Sequence, residues 1–193
     1  MISETMKKSR KIVIKIGSNT LSNEDGTINH DFLEHLCEQM NFLVEEGKQV
    51  VIVSSGARIA GVSRANKWAR KSDMNYKQAL CAIGQVELMA AYNSHFSKHD
   101  VMIGQLLLTK EDFFDQSRTL NIRNTLFTLV DEGVVPIVNE NDTVSTYEMQ
   151  FGDNDTLSAI VASLIGADLL ILLSDIDGLF TDDPHKNPDR SEE

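Results

Sequence analysis

Five short runs of aliphatic and β-branched residues recur along the chain, each broken at its end by glycine or by a polar cluster. They read "KIVIKIG" at 11–17, "QVVIVSSGA" at 49–57, "VMIGQLLL" at 101–108, "GVVPIVNEND" at 133–142 and "DLLILLSDIDG" at 168–178. These runs are continuously apolar rather than alternating, the mark of strands buried on both faces. Segments with helical spacing lie between them. From Asp31 to Glu46 the apolar positions are Phe32, Leu36, Met40 and Leu43, and Gly47 closes the helix. Further helices are predicted over 76–96, over 117–132 with Leu120, Leu126, Leu129 and Val130 as apolar positions, and over 155–167. Continuous strands joined by helices of about 12 residues or more predict a mainly parallel sheet with helices on both faces. The fold class is therefore α/β, a three-layer αβα sandwich. No internal repeat or linker divides residues 1–193, so one domain is expected.

In such a sheet, ligands bind beyond the carboxyl ends of the strands. Four of the five runs deliver polar residues there: Gly17-Ser18-Asn19, Ser54-Ser55-Gly56-Ala57, Asn139-Glu140-Asn141-Asp142 and Ser174-Asp175-Ile176-Asp177-Gly178. Turn chemistry accounts for part of this, and a shared polar site accounts for the concentration of it. Gly17 and Gly56 stand where a strand becomes a turn and a helix can start, a place where backbone N–H groups approach an anion closely. The spacing is not that of a nucleotide P-loop, because "GARIAG" is followed by Val62 and Ser63. A dinucleotide GxGxxG motif is absent after the first strand as well.

Lys15 interrupts "IVIKIG" two positions before the glycine. Either its strand is an edge strand and Lys15 faces solvent, or its ammonium points over the carboxyl edge, where it can neutralise a phosphate. Asp153, Asn154 and Asp155 precede a helix. One of them serves as an N-cap, and the surplus calls for another use.

Composition narrows the partners. The chain has 18 Lys plus Arg against 29 Asp plus Glu, a formal net charge of −11. That field disfavours nucleic acid and anionic membrane as partners, and it obliges any anionic ligand to be held by local donors. Cys37 and Cys81, both in helical patterns, read as core residues in a reducing compartment. The N-terminus has no signal-peptide apolar stretch and no run approaches a membrane span, so a cytoplasmic location is expected. His95 and His99 have a metal-compatible i, i+4 spacing, but a solvated helix end is the simpler reading. Arg64, Lys67, Arg70 and Lys71 around Trp68 fall in a stretch without clear periodicity, 63–75, which reads as a solvated loop or lid.

Taken in order, "KIVIKIGSNTL", "VVIVSSGA", "KQALCAIGQ", "GQLLLT", "VPIVNENDTV", "FGDNDTLSA" and "LLSDIDGLFTDDPHKNP" resemble the glutamate 5-kinases of the amino acid kinase family over about residues 10 to 188. "NEND" followed by "GDND" is the sharpest part of the likeness. The resemblance implies phosphorylation of the side-chain carboxylate of L-glutamate by ATP with Mg²⁺, the first step of proline synthesis. By position, Lys15 resembles the lysine that meets the phosphates. Gly17, Ser18, Ser174 and Asp175 match residues that border the nucleotide. Ser55, Asp142 and Asn154 resemble the residues that hold glutamate, with Gly56 and Ala57 supplying backbone beside it. Asp155 resembles the aspartate that organises the catalytic lysines. No protein metal ligand is implied, since Mg²⁺ would bridge the ATP phosphates. Proline as feedback inhibitor and assembly into dimers or tetramers are implied in the same way.

Two departures accompany the likeness. Arg58-Ile59 stands where the family has small or apolar residues. The family pattern also continues past "DPHKNP" into a glycine-rich nucleotide segment with a second lysine, and the 193 residues carry neither, so the nucleotide half is expected to be incomplete. Acetylglutamate, aspartate, carbamate or a nucleoside monophosphate is the alternative acceptor within the family. A non-catalytic amino-acid-binding fragment is the alternative outside it.

Overall fold

The computed structural model describes residues 2–65, 73–145, 154–174 and 178. A short helix α1 (Ile2–Lys8) leads into strand β1 (Lys11–Ile16) and a four-residue helix α2 (Ser18–Leu21). Helix α3 (His30–Glu45), strand β2 (Gln49–Ser54), α4 (Ala57–Arg64) and α5 (Met74–Phe96) follow. The chain continues through β3 (Ile103–Leu108), α6 (Gln116–Asp131), β4 (Val135–Glu140), α7 (Asn154–Ile165) and β5 (Leu169–Leu173). All described strand pairs are parallel, in the order β3-β4-β2-β1-β5. The expected αβα sandwich is present.

Side chains alternate across the sheet, and the two faces carry separate cores. On one face Ile12, Ile14, Ile16, Val50, Ile52 and Ile137 pack against Leu33, Leu36 and Met40 of α3 and Leu88, Tyr92 and Phe96 of α5. On the other, Val13, Val51, Val53 and Val138 pack against Ile122 and Leu126 of α6 and Leu157, Val161 and Ile165 of α7. Lys15 shares the parity of Val13, so it points to the α6/α7 face.

The edge-strand reading of Lys15 is overturned. β1 lies between β2 and β5, and Lys15 is only 8% exposed. The solvated reading of His95 fails too. Its ring is buried, with Nε2 3.1 Å from Nδ1 of His30, and burial holds its pKa below the ordinary imidazole value. In α6 the buried residues are Ile122 and Leu126, while Leu120 is exposed. Both cysteines are buried and unbridged, as expected. Of the basic stretch, Arg64 ends α4 and pairs with Glu87 at 3.3 Å. Residues 66–72, with Lys67, Trp68, Arg70 and Lys71, lie outside the described residues.

The strand ends are stitched together. Gly17 N–H donates to the Leu173 carbonyl, Ser55 N–H to Ile16, and Asn141 N–H to Leu108. The carboxyl ends of all five described strands therefore reach one edge of the sheet in fixed register.

Helix α4 crosses α5 backbone against backbone. A Cβ built on Gly84 would lie 1.7 Å from the Ala57 carbonyl oxygen, and one on Gly61 would lie 1.9 Å from that of Leu80. Only glycine fits either position, and the pair presses the start of α4 against the middle of α5, over the same sheet edge.

Candidate active site

A cleft of about 510 Å³ opens at this edge. Lys15, Gly17, Ser18 and Asn19 line it after β1, Ser55, Gly56 and Arg58 after β2, and Asn139, Glu140 and Asp142 after β4, with Asn154 from α7. Cys81, Lys77, Gln78 and Met74 contribute the α5 wall.

Lys15 Nζ lies 2.7 Å from Oδ1 of Asp155 in the first turn of α7. The face parity of β1 and the start of α7 bring them together. The lysine side chain is 10% exposed and the aspartate 47%, so the pair sits at the mouth of the core rather than inside it. Burying a lysine ammonium without such a partner is costly. Gly17 follows two residues later, and a Cβ there would lie 3.7 Å from the ammonium.

Asn154 is the hub of the cleft floor. Its Nδ2 donates to the Ser54 carbonyl at 2.7 Å, Ser55 Oγ at 2.8 Å and Asn139 Oδ1 at 3.0 Å. Two hydrogens serve three acceptors, so one is shared. Asn139 Nδ2 in turn donates to Gln85 Oε1 at 3.0 Å. The backbone fixes the direction of every amide in this relay. The Ser54 carbonyl can only accept, so Asn154 must present nitrogen to it. Asn139 Oδ1 takes the Glu140 N–H at 2.8 Å, so its nitrogen faces Gln85. Ser54 Oγ lies 3.0 Å from the Tyr92 hydroxyl, anchoring β2 to α5 beneath the floor.

Asp142 is held by a compact turn after β4. Val144 N–H, Ser145 N–H and Ser145 Oγ all donate to the Asn141 carbonyl, Thr143 Oγ1 bonds Asn141 Oδ1, and Gln78 Nε2 reaches the Ser145 carbonyl. Burial raises the Asp142 pKa above the ordinary carboxylate value, while a hydrogen bond with Cys81 and the charge of Arg58 partly oppose that rise. Burial, and then the Asp142 charge, push the Cys81 thiol up to about 12. This cysteine is therefore a neutral donor, not a nucleophile.

The residues singled out from sequence thus converge, with two qualifications. Ala57 is buried under the cleft as the first residue of α4, after Gly56 at φ 96°. Ser174 is exposed at the end of β5, and Asp175, like Asp153, lies outside the described residues. Sequence reasoning missed Gln85, Tyr92 and Lys77 and took Cys81 for core alone. The signal for Gln85 was present: it shares a helical stripe with Cys81, Leu88 and Tyr92, all buried. A lone amide in such a stripe needs a polar partner.

Comparison with known proteins agrees with this arrangement. The model of the amino acid kinase family matches residues 10–192. A glutamate 5-kinase of Alkaliphilus oremlandii is 74% identical over 98% of this chain and 72% of its own length. One from Alkaliphilus metalliredigens is 65% identical over the same shares, and one from Nitrosospira multiformis is 47% identical over 96% of this chain and 50% of its own length. The crystal structure of a UMP kinase from Bacillus anthracis superposes with a TM-score of 0.61 at 18% identity, covering 95% of this chain and 72% of the other, a likeness of fold. Sheet order, cleft position and sequence lead to one conclusion: the chain belongs to the amino acid kinase family, among its glutamate 5-kinases.

Proposed function

We propose that this chain phosphorylates the side-chain carboxylate of L-glutamate with ATP, giving L-glutamyl 5-phosphate for proline synthesis. The observation that carries the reading is one cleft with two chemically distinct ends. One end has the Lys15–Asp155 pair beside Gly17, and the other has Asp142, with Asn154 and Ser55 on the floor.

The roles follow from charge. A glutamate side chain has a pKa of about 4.3 and is ionised near neutral pH, so the reaction needs no general base. A carboxylate oxygen forms a bond to the γ-phosphorus, the bond from that phosphorus to the bridging oxygen breaks, and its electron pair leaves with ADP. The barrier is the approach of two anions, and positioning and electrostatics lower it. Lys15 supplies positive charge at the transferring phosphoryl group, and Asp155 holds the ammonium in place. Asp142 takes the substrate α-ammonium, Ser55 and Asn154 orient the acceptor, and Gly56 and Ala57 border it with backbone. Gly17, Ser18 and Ser174 border the nucleotide. A Mg²⁺ ion supplied with ATP would offset part of the phosphate charge, and the half-exposed carboxylate of Asp155 would suit a place beside it. Inhibition by proline, self-assembly and a cytoplasmic location complete the proposal.

Incubation with Mg-ATP, L-glutamate and hydroxylamine tests it, because hydroxylamine traps an acyl phosphate. γ-Glutamyl hydroxamate that depends on both substrates is expected. Hydroxamate formed equally well from aspartate or acetylglutamate would refute the substrate assignment.

A further inference from the structure

Arg58 stands in the first turn of α4, two residues after the left-handed Gly56 that caps the helix. A cation there opposes the helix dipole, and the turn holds no acidic residue to offset it. Arg58 is exposed and lines the cleft. Among the described residues no carboxylate comes within 4.0 Å of its guanidinium, yet its charge is felt at Asp142 and at the Cys81 thiol beside it. Two opposite charges thus line one cleft without closing into an ion pair.

One cation and one carboxylate lining the same cleft supply the two charges that an α-amino acid head group calls for, since it carries an ammonium and a carboxylate on one carbon. We propose that Arg58 is a specificity residue that binds the substrate α-carboxylate, while Asp142 takes the α-ammonium. This rests on the reading of the cleft as an amino-acid site and deepens it. The planar guanidinium offers a carboxylate two parallel N–H donors, which a lysine cannot. A local cation strengthens the hold on an anion, because the protein carries a formal charge of −11 and Lys15 is already engaged by Asp155. Lys77 lines the cleft as well, and the titration below separates its contribution from that of Arg58. With the head group held between Arg58 and Asp142, the side-chain carboxylate is the end left for Lys15.

Calorimetric titration with L-glutamate and with its α-amide, isoglutamine, tests the assignment. Arg58→Gln is expected to weaken L-glutamate binding about 10- to 100-fold, the worth of a charge-assisted hydrogen bond. It should leave isoglutamine binding unchanged, and Arg58→Lys should recover part of the loss. Unchanged glutamate affinity in Arg58→Gln overturns the proposal, as does an equal loss for both ligands. A loss seen in Lys77→Gln instead also overturns it. If the native chain binds no glutamate, the amino-acid reading of the cleft falls, and this proposal with it.

Discussion

Lys15 and Asp142 line one cleft, and their surroundings assign them different consequences on removal. Lys15→Met keeps the packing of β1 and removes the ammonium that Asp155 holds at 2.7 Å. Turnover should fall about 100- to 1,000-fold, the usual loss for a preorganised charge acting on the transition state, with glutamate affinity nearly unchanged. Asp142→Asn should do the reverse, raising the glutamate KM about 10- to 100-fold with a smaller effect on kcat. Steady-state kinetics separate the two, and equal losses of both parameters in both variants would contradict the division of roles. Acid acts through the same carboxylate. Burial holds Asp142 above the ordinary range, so glutamate binding should weaken on acidification before exposed carboxylates titrate. Gln85 makes a subtler contribution. In Gln85→Leu the buried Asn139 Nδ2 loses its acceptor, which should lower the unfolding free energy by about 1–3 kcal/mol. The glutamate KM should rise as well, because the amide relay no longer fixes Asn154. Urea unfolding read beside KM checks both.

At the scale of elements, the glycine pair between α4 and α5 decides where two walls of the cleft stand. Gly84→Ala would drive a methyl group into the Ala57 carbonyl and the Gly61 nitrogen. Backbone cannot yield as a flexible side chain does, so the helices must separate, at about 1–3 kcal/mol or more. A fall in melting temperature with weakened glutamate binding is expected, and an unchanged melting temperature would mean that the crossing is looser than its geometry. Much of the element plan was legible in sequence, because continuously apolar strands and 3.6-residue helices are strong periodic signals. The position of Lys15 was not. A lysine in a strand reads alike at an edge or beside a helix terminus, and only the strand order, with β5 outside β1, separates the two. Arg58 was visible as an oddity but not interpretable, since Asp142, the carboxylate that lines the same cleft, comes from a different strand end. His95 misled because its helical spacing to His99 says nothing of His30, which α3 supplies.

For the whole molecule, stability should decline on acidification in two stages, for reasons that can be signed group by group. His95 is held below the ordinary imidazole value, chiefly by burial, with Lys98 and His30 acting in the same direction and Glu34 against them. A depressed histidine contributes stability that is present above about pH 6.5 and lost as pH falls through its folded value. Asp168 is depressed by the N–H groups of Lys11 and Arg10. Burial raises Asp112, but Thr109 and Arg118 outweigh it and leave that group depressed too. Their contribution is present above about pH 4 and lost below. Asp142 runs the other way, since its raised pKa favours the folded state only in acid. Melting temperature should therefore drop between pH 7 and 5 and again below pH 4. An NMR titration that finds His95 at or above the ordinary imidazole value would remove the first stage.

The strand order also sets a timetable. β1 pairs on one side with Gln49–Ser54 and on the other with Leu169–Leu173, so a chain leaving the ribosome carries it as an open edge until its last described strand emerges. Asn154 and Asp155 arrive only shortly before that strand. A nascent chain halted earlier holds Lys15, Ser55 and Asp142 without the residues that join them, and the cleft can close only after α7 has been made.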